Sequence, residues 1–130
     1  MIVLDTCAII FDALTPNKLT NKAKKAILHA EKNNILFCCD ISLWEIGMLI
    51  QKNRLDPGTD TKNFLSLILQ SKGMKVLDIT TDIATIATTR VFNHFDPADR
   101  LIAATAIHYE ANLITCDQHL KDVSKLSIIW

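Results

Sequence analysis

Five short, mostly apolar runs, at residues 2–4, 35–38, 76–77, 112–115 and 127–129, are spaced along the 130-residue chain. They are too short for amphipathic helices and too continuously apolar for half-exposed strands, so they read as strands buried on both faces. The stretches between them, residues 8–14, 19–32, 41–51, 64–70, 81–92 and 97–110, carry apolar side chains at helical spacing. Strands that alternate with helices build a parallel sheet covered by helices, an α/β fold. The helix over 97–110 is apolar almost all round, which marks it as buried. Residues 117–123 read as a short helix before the last strand. No linker, repeat or shift of composition divides the chain, so one domain is expected over residues 1–130.

Composition removes several classes. With 49% apolar and 22% charged residues the chain can bury a core and is not intrinsically disordered. Fourteen Lys and Arg balance fourteen Asp and Glu. A net charge of zero excludes a protein that coats nucleic acid by bulk charge, but not a local basic patch above an acidic pocket. No apolar run approaches the roughly 18 residues of a bilayer span, and no basic, then apolar, leader opens the chain. A cytoplasmic protein without membrane association is expected. Cys7, Cys38, Cys39 and Cys116 form no CxxC pair and are expected to be small buried hydrophobes, not disulfide or zinc ligands. His29, His94, His108 and His119 have no metal-ligand spacing with them.

In open parallel sheets, chemistry gathers at the carboxyl ends of the strands. Acids stand at three such ends: Asp5 after the first run, Asp40 after the second with Glu45 a helical turn further on, and Asp117 after the fourth. Asp96 and Asp99 open the most apolar helix. Capping is the structural alternative for each. Asp96-Pro97 fits an N-cap with proline at the first helical position, Ser42 to Glu45 fits a capping box, and Asp117 could cap the last helix. Asp5 has no helical pattern starting at its own position, so capping explains it least. Glu45 stands among Ile41, Met48 and Leu49 with no cation near in sequence. A carboxylate in apolar surroundings is costly unless paired or holding a metal. An all-oxygen donor set favours Mg²⁺ or Mn²⁺ over Zn²⁺ or Cu²⁺. Asp5, Glu45, Asp99 and Asp117 are therefore expected to converge on one such site.

Four segments carry a family resemblance: residues 1–6 with Asp5 and Thr6, residues 41–46 with Trp44 and Glu45, residues 96–106 with Asp96, Asp99 and Arg100, and residues 113–117 with Thr115 and Asp117. In this order and spacing the chain resembles the PIN-domain ribonucleases, in particular the VapC-type toxins of bacterial toxin–antitoxin pairs. The resemblance implies a PIN-like α/β/α sandwich with a central, mainly parallel sheet flanked by helices. It implies Mg²⁺- or Mn²⁺-dependent cleavage of RNA, a tRNA or other structured RNA. It makes Asp5, Glu45, Asp99 and Asp117 the catalytic, metal-binding acids, with Asp96 of second rank. Thr6, Thr115 and Arg100 would support them. It also implies a homodimer and an inhibiting antitoxin as partners.

The helix bearing Trp44 and the region 64–69 are candidate contact surfaces, with core packing as their ordinary explanation. Lys18, Lys22, Lys24, Lys25 and Lys32 read first as a solvated helix face and second as a phosphate-tracking patch. Three other functions compete: a nuclease acting on DNA, a catalytically inactive PIN-fold module that binds RNA or protein, and an acidic-pocket phosphotransfer domain. The last would want a second Asp near the first strand, which Asp5-Thr6-Cys7 lacks.

Overall fold

Five parallel strands form a single sheet in the order β3-β2-β1-β4-β5. They are β1 (Ile2–Leu4), β2 (Leu36–Cys39), β3 (Lys75–Leu77), β4 (Asn112–Ile114) and β5 (Ser127–Ile129). The computed structural model describes residues 1–92 and 96–130, and His94 lies outside the described residues. The helices are α1 (Thr6–Leu14), α2 (Asn21–Lys32), α3 (Asp40–Gln51), α4 (Thr61–Lys72), α5 (Thr81–Ala87) and α6 (Pro97–His108).

The central strand sends alternate side chains to opposite faces. Ile2 and Leu4 join Ile9, Ala23, Ile27 and Phe64 in one core. Val3 joins Leu113, Ile102 and Ala103 in a second. Both faces are thus covered, which is why β1 reads as an unbroken apolar run. The edge strands β3 and β5 are only partly buried.

Local chemistry moves several boundaries. Helix α2 begins after Thr20, whose hydroxyl accepts from the Ala23 amide. Helix α4 begins three residues before the apolar pattern does, because Asp60 caps it through the Asn63 amide at 2.7 Å. It ends at Gly73, whose φ of 59° is the left-handed conformation that lets Met74 N reach back to Leu69 O. Helix α5 stops at Ala87, short of the expected 92, and a 3₁₀ turn follows at Arg90–Phe92. The Thr88 and Thr89 hydroxyls bond the carbonyls of Thr85 and Ile86, a local competitor of the helical ladder. Residues 118–122 form a 3₁₀ turn and not an α-helix.

The chain starts in the middle of the sheet, moves outward through β2 and β3, then crosses back to β4 and β5. Between β1 and β4 the direction of winding reverses, which makes their carboxyl ends the switch point of the sheet. Among the described residues no helix is long and apolar enough to cross a membrane. The cysteine expectation holds only for Cys38 and Cys39, which are buried. Cys7 is exposed and Cys116 half-buried: both lie just past strand ends, at the sheet's rim, where apolar sequence neighbours do not guarantee a covered place.

Candidate active site at the sheet's switch point

Asp5 is the first residue beyond β1. Its amide donates to Ile114 O at 3.1 Å, which ties it to the end of β4 at the switch point. Contrary to the sequence expectation, it also caps a helix: Asp5 Oδ1 accepts from Ala8 N at 2.7 Å, and α1 starts at once with Thr6. The β-branched and cysteine residues that open α1 hide this start from a pattern search.

Glu45 reaches the same place from α3. The capping box does not form, because α3 begins at Asp40 and its N-cap, Cys39, makes no side-chain cap. Ser42 is instead fully buried and meets Thr6, whose Oγ1 lies 3.0 Å from Ser42 Oγ and 2.5 Å from Glu45 Oε1. A hydroxyl has one proton to give. Directed at the carboxylate, the Thr6 proton fixes Glu45, and Ser42 donates to Thr6 in turn. Asp40 points elsewhere and accepts from Ile79 N at 3.1 Å, holding the loop after β3.

Asp96 caps α6 through Ala98 N at 3.2 Å, as its Pro97 neighbour leads one to expect. Asp99 lies in the first turn of that helix. Arg100 follows it, half-buried, with its amide on Asp96 O. Asp117 caps the 118–122 turn through His119 N at 3.0 Å. Its own amide donates to Thr115 Oγ1, and Thr115 is 1% exposed. His119, which has no metal-ligand spacing with the cysteines, places its Nδ1 3.2 Å from Asp117 Oδ1, a pairing not expected from the sequence. The spacing of two residues after a capping Asp was the available signal.

The acids act on one another. Burial pushes the Asp5 carboxyl up from 3.8 to about 6, and the charges of Glu45 and Asp117 add to it. Hydrogen bonds from Thr115 and Ala8 oppose the shift. Asp99 is likewise raised to about 6, first by burial, then by Asp96, Glu45, Asp117 and Asp5. Glu45 is raised by burial and by Asp96, against the Thr6 hydrogen bond. Asp5, Glu45 and Asp99 are thus each raised by burial and by neighbouring carboxylates. The donors are hard oxygens in a setting that opposes ionisation, and such a set fits a hard divalent cation. The side chains do not yet close on a point: among the described residues no three His, Cys, Asp or Glu are grouped as ready ligands.

Elsewhere, Trp44 is 60% exposed, so the α3 surface is open. In the 64–69 region Phe64 and Ile68 turn inward and Leu67 stands 59% exposed. Lys18, Lys22, Lys25 and Lys32 are exposed, and Lys24 is half-buried.

The sequence model of the PIN domain matches residues 2–126. The chain belongs to the PIN-domain family. Ribonuclease VapC22 of Mycobacterium tuberculosis is 29% identical over 121 residues, 92% of this chain and 89% of that protein. The structure of VapBC2 from Rickettsia felis, bound to a DNA fragment from its promoter, aligns with a TM-score of 0.75 at 18% identity. It covers 98% of this chain and 97% of its own. A toxin–antitoxin complex from Klebsiella pneumoniae aligns with a TM-score of 0.65 at 19% identity, over 97% and 95% of the two chains. The expected parallel sheet between helices is the fold these solved structures share.

Proposed function

We propose that this PIN domain, working as one unit over residues 1–130, is a Mg²⁺- or Mn²⁺-dependent endoribonuclease and the toxin of a toxin–antitoxin pair. One arrangement supports the reading. Asp5 just beyond β1, Glu45 on α3, Asp99 in the first turn of α6 and Asp117 just beyond β4 come from four separate parts of the chain, and burial together with neighbouring carboxylates raises Asp5 and Asp99. Crowded acids of this kind are unfavourable until a cation joins them.

Asp5, Glu45, Asp99 and Asp117 are the proposed ligands, with Asp96 at the margin. A bound divalent ion would supply positive charge to the scissile phosphate and acidify an attacking water. The protein's part is to hold the ligands ready. The Ala8 amide fixes Asp5, the Thr6 hydroxyl aims Glu45, and the Thr115 hydroxyl pins the turn that carries Asp117. Arg100, the residue after Asp99 on α6, is a proposed supporting residue. No histidine is required as a base.

An antitoxin is the proposed partner, since the similar solved structures include a VapBC pair and a toxin–antitoxin complex. The exposed Leu67 surface suits such a protein contact, and a homodimer and a cytoplasmic setting complete the proposal. The test is incubation of the pure protein with total RNA and, separately, single-stranded DNA in Mn²⁺, with and without chelator. RNA fragments that depend on the metal are expected. Cleavage that survives chelation, or that touches only DNA, overturns the reading.

A further inference from the structure

Beside the acids, the outer face of α3 and the start of α6 enclose a groove of about 490 Å³. Its floor is a stripe at helical spacing, Ile41, Trp44, Met48 and Leu49. Glu45 and Asp96 line the groove toward the acids, and Lys52 and Arg54 line it beyond the last turn of α3. Trp44, at 60%, is the most exposed large apolar side chain among the described residues. Neither Lys52 nor Arg54 makes an ion pair among them.

We infer that this groove is a nucleotide subsite, in which a base of single-stranded RNA next to the cleaved bond stacks on Trp44 and a neighbouring phosphate meets Lys52 and Arg54. The inference rests on the ribonuclease reading above. Three features select RNA over a protein segment. An open indole face offers stacking to any base. Both cations that line the groove, Lys52 and Arg54, stand at the end away from Glu45 and Asp96, so its lining is acidic where a metal would sit and basic where a bare phosphate would follow. Glu45 and Lys52 are seven residues apart along α3, a separation of ~10 Å at the helical rise, within reach of the next one or two backbone phosphates. A protein helix would also accept the apolar floor, but it would not by itself call for that polarity.

The experiment follows cleavage of a short single-stranded RNA in Mn²⁺ by the wild type, Trp44→Ala, Trp44→Phe and a Lys52→Ala/Arg54→Ala double variant. Trp44→Ala should raise KM about tenfold, the loss of one base stack, and lower kcat less. Trp44→Phe should restore most of the difference. The double variant should flatten the dependence of log(kcat/KM) on log salt by roughly 0.7 per lost phosphate contact. Mn²⁺ affinity and melting temperature should match the wild type in every variant, because Trp44, Lys52 and Arg54 lie at the surface. If the wild type cleaves no RNA, the ribonuclease reading fails and the subsite with it. If it cleaves and the variants match it in KM and salt dependence, the subsite alone fails. Co-purification of each variant with the product of a neighbouring antitoxin gene is read in parallel. A Trp44→Ala protein that loses this partner but keeps its KM assigns the groove to a protein helix and overturns the proposal.

Discussion

Two clusters of carboxylates in this molecule face the same electrostatic problem and meet it differently. In the first, Asp12 of α1 and Glu31 of α2 converge on Lys72 of α4, at 3.3 and 3.1 Å. Burial alone would lower the Lys72 pKa, but the hydrogen bond to Glu31 and the charge of Asp12 raise it on balance. The chain thus supplies its own cation, and the cluster ties three helices together. In the second, at the switch point, Asp5, Glu45 and Asp99 are all shifted against ionisation. Hydrogen bonds from Thr115 and Ala8 to Asp5, and from Thr6 to Glu45, offset burial and mutual repulsion only in part. A carboxylate cluster completed internally is a staple. One left incomplete at the switch point is a place for a ligand, and that contrast supports reading the second cluster as a metal site.

The largest test of the contrast is on activity. Asp5→Asn retains an oxygen to cap α1 but removes a charge from the switch point. Cleavage of RNA should fall by at least about 10²-fold, the scale of losing one charge-stabilising group, while circular dichroism stays unchanged. Retained cleavage would break the assignment.

The next test is pH. Asp5 and Asp99 have pKa values near 6 in the folded protein against 3.8 as free side chains. Between those values the folded state holds more protons than the unfolded one. Stability of the metal-free protein therefore falls as pH rises from about 4 to about 6, then levels off. For Asp5 the displacement is worth at most ~3 kcal/mol, and the more exposed Asp99 adds less. Urea midpoints in chelator should be higher at pH 5 than at pH 7, Asp99→Asn should flatten the slope, and Mn²⁺ should restore stability at pH 7. A midpoint that rises with pH in chelator contradicts the shifts.

At the internally paired cluster, removing a charge is expected to destabilise the fold. Lys72→Ala leaves two partly buried carboxylates without their cation and should destabilise the fold by ~1–2 kcal/mol, less than a fully buried pair because the lysine is 28% exposed. The melting temperature should drop by several degrees, and divalent metal should not rescue it. Rescue by Mn²⁺ would blur the distinction between the clusters. The smallest effect is expected from Thr6→Val, which removes the donor that aims Glu45. Mn²⁺ affinity should weaken about tenfold, the usual scale for a residue that orients a ligand, and titration calorimetry reads it directly.

How far the sequence could be read differs from residue to residue. Asp96 was legible as a cap because Pro97 follows it, and the burial of α6 was legible because Leu101 through Ile107 carry no charged side chain. The cap at Asp5 was not, since α1 has no amphipathic opening and its first turn packs against strand ends. Ser42 and Glu45 match a capping box by spacing, but that pattern needs Ser42 as the N-cap, and α3 has its N-cap three residues sooner, at Cys39. The partnership of Lys72 with Asp12 and Glu31 spans up to sixty residues of chain and left no local trace.

The sequence by itself determined the alternation of buried strands and helices, the parallel sheet that follows from it, and the presence of an acid at the end of each central strand. Those properties depend on period, propensity and position, which a linear chain carries. The tertiary structure alone decided which acids meet each other and which meet a lysine. Charge interactions depend on distance through space and on burial, and both exist only once the strand order β3-β2-β1-β4-β5 has brought remote segments to one rim.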